Sequence, residues 1–119
     1  MYDVNFLKNN KINADKCISE LGLNTYNELL HVFLKEIIDM VNNLNKSLCS
    51  NNMQDYSTYV HGIKGESLYL GFKELASMAL THQEKSAAGD IEYIKKDYDN
   101  LINEICRIIK ILRIYLGSE

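Results

Sequence analysis

Apolar residues recur along most of this chain at alternating steps of three and four, and no proline interrupts them. Side chains spaced in this way lie on one face of an α-helix, whereas a β-strand needs alternation at every second position. Proline is the residue that breaks helices most strongly, so its absence leaves each periodic stretch free to form one continuous helix. Because no strand-type alternation of convincing length is present, the sequence predicts an all-α fold.

Four long periodic stretches are separated by short breaks that contain glycine, serine or asparagine. The sequence Thr25-Tyr26-Asn27-Glu28 has the form of a capping box and predicts the start of the first long helix. Helices joined by short connections pack as antiparallel neighbours, so we expect an antiparallel up-down-up-down four-helix bundle. The inward positions of the four helices are, in chain order, Leu30, Phe33, Ile37, Val41, Leu44 and Leu48; Met53, Tyr56, Val60, Ile63, Ser67 and Leu70; Phe72, Leu75, Met78, Ala79, His82 and Ser86; and Ile91, Ile94, Tyr98, Leu101, Ile105, Ile108, Leu112 and Tyr115.

A shorter amphipathic segment over residues 12–21 precedes these stretches and ends at Gly22. It predicts one short additional N-terminal helix. Residues 1–11 are mixed and polar, and we expect them to form an N-terminal tail. A chain of 119 residues is long enough for one domain with its own core, which we place at residues 12–117.

Charge and hydropathy argue against two classes of partner. The net charge is −3 and no stretch is strongly basic, so nucleic-acid binding is not expected. No apolar run approaches the length of a bilayer span, so no membrane partner is expected. The three cysteines, Cys17, Cys49 and Cys106, lack metal-ligand spacing, and Cys17 and Cys106 occupy apolar-periodic positions. We expect reduced thiols in a cytoplasmic protein.

His61 lies in the middle of the second long helix. At about 100° per residue it falls roughly 130° from the centre of the inward face, so its side chain should face solvent. Lys64 and Gly65 are its neighbours one turn later, which places a cation and a missing side chain beside the imidazole. A glycine inside a helix costs roughly 1 kcal/mol relative to alanine, and Gly62 also flanks the histidine. Close approach of another molecule would explain these glycines.

An exposed histidine beside a lysine suits phosphoryl transfer. A neutral imidazole nitrogen can attack phosphorus, and histidine is mostly neutral near pH 7. A neighbouring ammonium group can screen the charge of the phosphoryl oxygens. The chain has no glycine-rich phosphate loop, so the phosphoryl donor would come from another protein. By composition alone, an exposed histidine is more often only a solvated side chain, and the residues leave that alternative open.

The other two histidines favour packing over chemistry. His31 lies beside the inward face of the first long helix and is expected at the surface or in packing. His82 occupies an inward position, which is typical of a hydrogen-bonded, partly buried histidine. A metal site that pairs His61 with His82 lacks a carboxylate or thiol at ligand spacing, so we predict no metal site. The motifs HExxH, CxxC and GxSxG are absent from the sequence.

The surroundings of His61 resemble a histidine-containing phosphotransfer (HPt) domain. The short pattern His-x-x-Lys-Gly is weak alone, but it is joined by a Leu-Gly pair and a Gly-Asp pair at the expected offsets. The resemblance spans about residues 12 to 112. It is based on His61-x-x-Lys64-Gly65, Ser67, Leu70-Gly71, Leu75 and Gly89-Asp90, and upstream on Leu21-Gly22, Glu28-Leu29-Leu30 and Phe33.

The resemblance implies a phosphorelay intermediate. His61 would accept a phosphoryl group from a receiver-domain aspartate, through the ring nitrogen that faces solvent, and pass it to another receiver. Lys64 would stabilise the charge of the phosphoryl oxygens, and Gly65 would leave room for docking. Gln83 stands where the family often has glutamate, and it would orient His61 by a hydrogen bond to the inner ring nitrogen. Glu66 replaces a residue that is commonly small. Its charge beside the docking face would either tune the choice of partner or simply be solvated, and we expect it to be solvated. The residues expected to contact the partner are Ser57, Thr58, Gly62, Gly65, Leu68 and Tyr69.

The same resemblance implies the partners. They would be response-regulator receiver domains, a hybrid sensor histidine kinase or both, and the chain would be a monomer. The chain would bind no cofactor and have no ATP site, because the receiver would bring the acidic pocket and the Mg²⁺. One alternative is the phosphoacceptor domain of a chemotaxis-type histidine kinase, excised from a larger enzyme, although Gln83 replaces the carboxylate of that group. Another is a helical bundle that only binds partners and is never phosphorylated.

Overall fold

The computed structural model describes residues 2–117, which form six α-helices and no β-strand. The all-helical fold predicted from the apolar periodicity is therefore confirmed. The helices are α1 (Val4–Asn9), α2 (Asp15–Leu21), α3 (Leu23–Cys49), α4 (Met53–Leu70), α5 (Lys73–Ala87) and α6 (Ile91–Leu116).

The four long helices, α3 to α6, enclose one core. α4 packs against α3 and α5, and α6 packs against α5 and α3. The bulkiest side chains that are completely or almost completely buried are aromatic: Tyr26, Phe33, Tyr56 and Phe72. Burying one large apolar side chain stabilises a fold by roughly 1.5–3 kcal/mol. Each long helix is thus held in place by the inward face that its sequence predicts.

The N-terminal segment is more ordered than the sequence predicts. Residues 4–9, expected to lie in a tail, form α1, and Leu7 of this helix is completely buried. The helix expected over residues 12–21 begins only at Asp15, as α2, while Ile12 before it is packed in the core. Two short helices therefore replace the single one expected, because a six-residue helix is too short to give a periodic signal.

The start of the first long helix also differs from the prediction. α3 begins at Leu23, and Gly22 precedes it without a side-chain cap. The capping box predicted over residues 25–28 is wrong, because these residues already lie within the first turns of α3. A capping-box sequence and an ordinary first turn share the same residue types, so the pattern alone does not separate them.

Gly71 ends α4 and touches the N-terminal segment. Its φ of +92° lies in the left-handed region that favours glycine. Its carbonyl oxygen accepts a hydrogen bond from the backbone N–H of Asn13, at 3.0 Å. A Cβ atom at Gly71 would collide with the carbonyl group of Asn13. This backbone contact fixes the segment between α1 and α2 against the turn that leads from α4 to α5.

The cysteines and the hydropathy of the helices add two observations. No helix within residues 2–117 is long and apolar enough to cross a membrane. Cys17 is buried, in agreement with its apolar position, whereas Cys106 is exposed. Cys106 directly follows Ile105, which is the buried residue at this level of α6, so it lies about 100° around the helix from the core.

Candidate functional site

α4 holds the backbone of His61 while its side chain faces solvent. The N-terminus of α4 is capped by Asn52, whose Oδ1 accepts a hydrogen bond of 3.0 Å from the backbone N–H of Asp55. His61 follows the buried Val60 by one residue and is exposed, as predicted. The inward positions of the helix are all buried: Tyr56, Val60, Ile63, Ser67 and Leu70. A capped helix packed along one face thus presents the imidazole on the opposite face.

In the part of the chain that the structure describes, the ring of His61 has no hydrogen-bond partner and the ammonium group of Lys64 has no ion-pair partner. Within the described residues, the hydrogen bonds to histidine rings are those of His82, so both ring nitrogens of His61 are available. Lys64 is half-buried, and none of the ion pairs in residues 2–117 includes it. An unpaired lysine one turn from an open imidazole is placed to meet an incoming anion.

Gly65 borders open space. Apart from its chain neighbours and the backbone of α4, a Cβ atom at this position would have no atom within 4 Å, whereas a Cβ at Gly62 would lie 3.5 Å from the terminal methyl group of Met40. Packing within the chain therefore does not require glycine at position 65. Its lack of a side chain leaves the surface next to His61 clear.

The residues expected to contact a partner lie along one side of α4. Thr58, Gly62 and Gly65 are exposed, and Ser57 is half-buried. Leu68 and Tyr69 are large apolar side chains with 62% and 50% of their surface exposed. Leu68 lies two turns after His61 on the same face. The two side chains also line a groove of about 360 Å³ whose other wall includes residues of α2. We call this surface of α4 the histidine face.

Gln83 lies on α5, and its backbone is tied to α4. Its carbonyl oxygen accepts a hydrogen bond of 3.4 Å from the hydroxyl of Ser57, one turn before His61. Its side-chain oxygen Oε1 is buried and has no hydrogen-bond partner within the described residues. No hydrogen bond joins Gln83 to His61, so the orienting role stays a prediction. A buried acceptor without a donor raises the free energy of the folded protein. A hydrogen-bond donor that comes within reach of Oε1 would therefore lower it.

Glu66 is half-buried rather than solvated, which corrects the expectation from its sequence position. Burial and, after it, the carboxylate of Glu36 raise the pKa of Glu66. Its Oε1 atom is buried without a hydrogen-bond partner in the described chain. The position of Glu66 relative to Glu36 depends on how α3 and α4 pack, and no pattern within either helix reveals it.

Two hydrogen bonds connect α4, α5 and α6 through Tyr56, His82 and Asp97, which we call the Tyr56–His82–Asp97 network. His82 is completely buried, in agreement with its inward position. Its Nδ1 lies 2.8 Å from the hydroxyl oxygen of Tyr56, and its Nε2 lies 2.9 Å from Oδ2 of Asp97. The sequence predicts a hydrogen-bonded histidine here, but it does not identify the partners. Tyr56 and Asp97 lie on other helices, and no spacing rule links them to His82.

The remaining site predictions concern His31 and metal binding. His31 is exposed on α3, in agreement with a surface role. Within residues 2–117, no three histidine, cysteine, aspartate or glutamate side chains form a group that could hold a metal ion.

Comparison with known families gives one match. A family model described as Hpt domain matches residues 28–105, which is more than half of the 119 residues. The match includes α4 and α5, and therefore His61, Lys64 and Gln83. The match leaves out α1, which lies where the sequence predicts a tail, and α2, which lies where it predicts the short N-terminal helix. No significant match to the chain was found among curated proteins or among solved structures.

Proposed function

Since the chain belongs to the Hpt domain family, whose members transfer phosphoryl groups through a histidine in two-component signalling, we propose that it is a phosphorelay intermediate. In this proposal, His61 accepts a phosphoryl group from the aspartate of a receiver domain and passes it to another receiver domain. The chain is then a phosphocarrier that needs no ATP site of its own.

One observation supports this assignment above the others. Within the matched region, His61 is an exposed histidine on an ordered helix, and its ring makes no hydrogen bond within the described chain. Buried His82 cannot meet a receiver domain, and exposed His31 lies on a different helix. The unpaired Lys64 and the open space at Gly65 are found beside His61 alone.

The transfer step follows from the two ring nitrogens. The lone pair of the solvent-facing nitrogen of His61 forms a bond to phosphorus, and the bond between phosphorus and the aspartate oxygen breaks. The carboxylate of the receiver leaves with that electron pair. The proton on the inner nitrogen stays on the ring, so the negative phosphoryl group offsets the positive charge that the ring gains. Lys64 lowers the free energy of the phosphorylated form by facing the phosphoryl oxygens.

Gln83 is proposed to fix which ring nitrogen carries the proton. Side chains of a helix lean towards its N-terminus. In the proposed antiparallel arrangement, which the contact of Ser57 in early α4 with Gln83 in late α5 supports, the side chains of His61 and Gln83 lean towards each other. The unpaired Oε1 of Gln83 would accept the inner N–H of His61. The solvent-facing nitrogen then keeps its lone pair for attack.

The proposed architecture is an antiparallel up-down-up-down bundle of α3 to α6, with α1 and α2 as additions. Its support is the short connections between the long helices and the contact of Tyr56 near the start of α4 with His82 near the end of α5. In this arrangement the histidine face is open to a partner between α3 and α5.

The proposed partners are receiver domains, alone or within a hybrid sensor histidine kinase. The receiver supplies the acidic pocket and Mg²⁺, and this chain supplies His61, Lys64 and the histidine face. We propose a cytoplasmic monomer that binds its partners one at a time. Exposed Leu68 and Tyr69 provide the apolar part of a contact whose rim is polar.

The proposal is tested by incubating the chain with receiver domains that carry radioactive phosphate on their aspartate. We expect label on the chain that is lost in acid and retained in base, as is typical of phosphohistidine, and its passage to a second receiver that is added later. A folded chain that binds a receiver and never takes up label would contradict the proposal and favour a bundle that only binds partners.

Replacing Lys64 with alanine is expected to lower the rate of phosphoryl transfer by roughly ten- to a hundredfold, because a hydrogen bond to a charged group contributes about 1.5–3 kcal/mol. Rapid-mixing measurements of label transfer would give the rate. Lys64→Arg should restore much of the lost rate, since arginine keeps the positive charge. Lys110→Ala removes an exposed lysine on α6 and should have no effect. Equal rates for the Lys64→Ala variant and the wild type would exclude a role for this ammonium.

Replacing Gly65 with glutamine is expected to reduce transfer on the order of a hundredfold, because a displacement of about 1 Å between reacting groups costs that much. The free energy of unfolding should stay equal or rise, since the new side chain meets no atom within 4 Å of its Cβ and glutamine favours helix. Gly65→Ala is the matched control and should retain most of the rate. If Gly65→Gln transfers as fast as the wild type, the histidine face does not need this opening.

A further inference from the structure

The Tyr56–His82–Asp97 network has no part in the proposed transfer step, yet it joins three helices at one point. Tyr56 belongs to α4, His82 to α5 and Asp97 to α6. The two hydrogen bonds measure 2.8 Å and 2.9 Å, and both Tyr56 and His82 have no exposed surface. Asp97 receives a further hydrogen bond of 2.8 Å from the side-chain amide of Asn100.

The chemistry of these groups assigns the direction of each hydrogen bond. A carboxylate only accepts, so Nε2 of His82 donates to Asp97 and Nδ1 then accepts from the hydroxyl of Tyr56. Burial lowers the pKa of His82, and Asp97 offsets only part of that shift, which favours the neutral ring. Burial alone would raise the pKa of Asp97, but the hydrogen bonds from Asn100 and His82 outweigh it and keep the carboxylate ionised. Every polar atom of the His82 ring is therefore satisfied by one tautomer.

The residues that follow Tyr56 and His82 in the sequence belong to the proposed phosphoacceptor site. Gln83 follows His82, and Ser57 follows Tyr56. Two consecutive residues of α5 are thus hydrogen-bonded to two consecutive residues of α4, one turn before His61. These two hydrogen bonds between the helices hold the end of α5 at a single rotation and register relative to α4.

We propose that the Tyr56–His82–Asp97 network positions the residues of the phosphoacceptor site. It sets the rotation and register of α5 so that the unpaired Oε1 of Gln83 faces the inner ring nitrogen of His61. A buried apolar residue at position 82 would fill the space, but it would not specify direction, whereas hydrogen bonds weaken steeply when their angle changes. This inference rests on the proposed function. It assigns to His82 an indirect role, in which His82 positions Gln83 and does not itself contact the reacting atoms.

A double-mutant cycle of Tyr56→Phe and Gln83→Ala tests the proposal, with the rate of transfer from a phosphorylated receiver as one readout. Each single variant is expected to lower the rate by roughly tenfold, because both disturb the same alignment. The double variant should be no slower than Gln83→Ala alone. If the two effects multiply, the hydroxyl of Tyr56 acts independently of Gln83 and the proposal is overturned.

A second readout needs no phosphoryl transfer. The ¹⁵N chemical shifts of the His61 ring report which nitrogen carries the proton, and we expect Tyr56→Phe to shift them in the same direction as Gln83→Ala. Unchanged shifts in Tyr56→Phe would refute the positioning role. If the wild type takes up no label, the proposed function fails, and the shifts alone then decide this inference.

Tyr26→Phe separates positioning from stability. Tyr26 is also completely buried, and its hydroxyl donates a hydrogen bond of 2.8 Å to the backbone of Leu70 at the other end of α4. Its replacement should lower stability in the same way as Tyr56→Phe while leaving the transfer rate and the His61 shifts unchanged. Equal losses of transfer in both tyrosine variants would show a purely structural effect and overturn the proposal.

Discussion

Replacing His61 with glutamine is expected to give a folded protein that takes up no phosphoryl group from a phosphorylated receiver. The amide nitrogen of glutamine has no lone pair available for attack on phosphorus, so the acceptor is lost entirely. Stability should change little, because the His61 ring is exposed and makes no hydrogen bond within the described chain. The measurements are acid-labile label on the chain and a thermal unfolding curve monitored by circular dichroism.

His31→Gln is the matched control, since it makes the same change at an exposed position of α3. This variant should accept label at the rate of the wild type. Label that persists in the His61→Gln variant would show that His61 is not the acceptor. Loss of label in the His31→Gln variant would instead assign the acceptor to His31 on α3.

Replacing Gly71 with alanine is expected to give the largest loss of stability among single substitutions at the glycines. The left-handed conformation alone costs an alanine about 1–2 kcal/mol. The new methyl group would also collide with the carbonyl group of Asn13, and forced overpacking adds about 1–3 kcal/mol. We therefore expect the free energy of unfolding to fall by about 2–5 kcal/mol, measured by urea denaturation.

Gly89→Ala isolates the contribution of the backbone conformation. Gly89 also has a positive φ, +77°, but a Cβ atom there would have no neighbour within 4 Å. This variant should lose only the cost of the left-handed conformation. Equal losses at the two positions would show that the contact between Gly71 and Asn13 is not tight in solution.

The sequence predicts the histidine face because helical geometry is local. The positions of Val60 and Ile63 in the inward face determine where His61 must point, and the structure places it in solvent. The same reasoning places His82 in the core. In both cases the period of one helix is sufficient, and no knowledge of its neighbours is needed.

Contacts between helices could not be predicted in this way. The partners of His82, the approach of Asn13 to Gly71 and the burial of Glu66 beside Glu36 all depend on how two or more elements are rotated and aligned. A periodic pattern gives the face of a helix, but it does not give the level at which that face meets another. Short apolar segments, such as the one around Leu7, do not reach the length at which a period can be detected.

The position of His61 within a capped and packed helix has a consequence for conformational entropy. Fixing the backbone of a residue in one conformation costs about 1–2 kcal/mol in conformational entropy. The backbone of α4 is already ordered in the folded protein, so binding does not add this cost. A partner that docks on the histidine face must order only side chains, chiefly those of Lys64, Leu68 and Tyr69. The surface can therefore be recognised without a loop that folds on binding, and in the proposed relay it would present the same shape to each receiver domain.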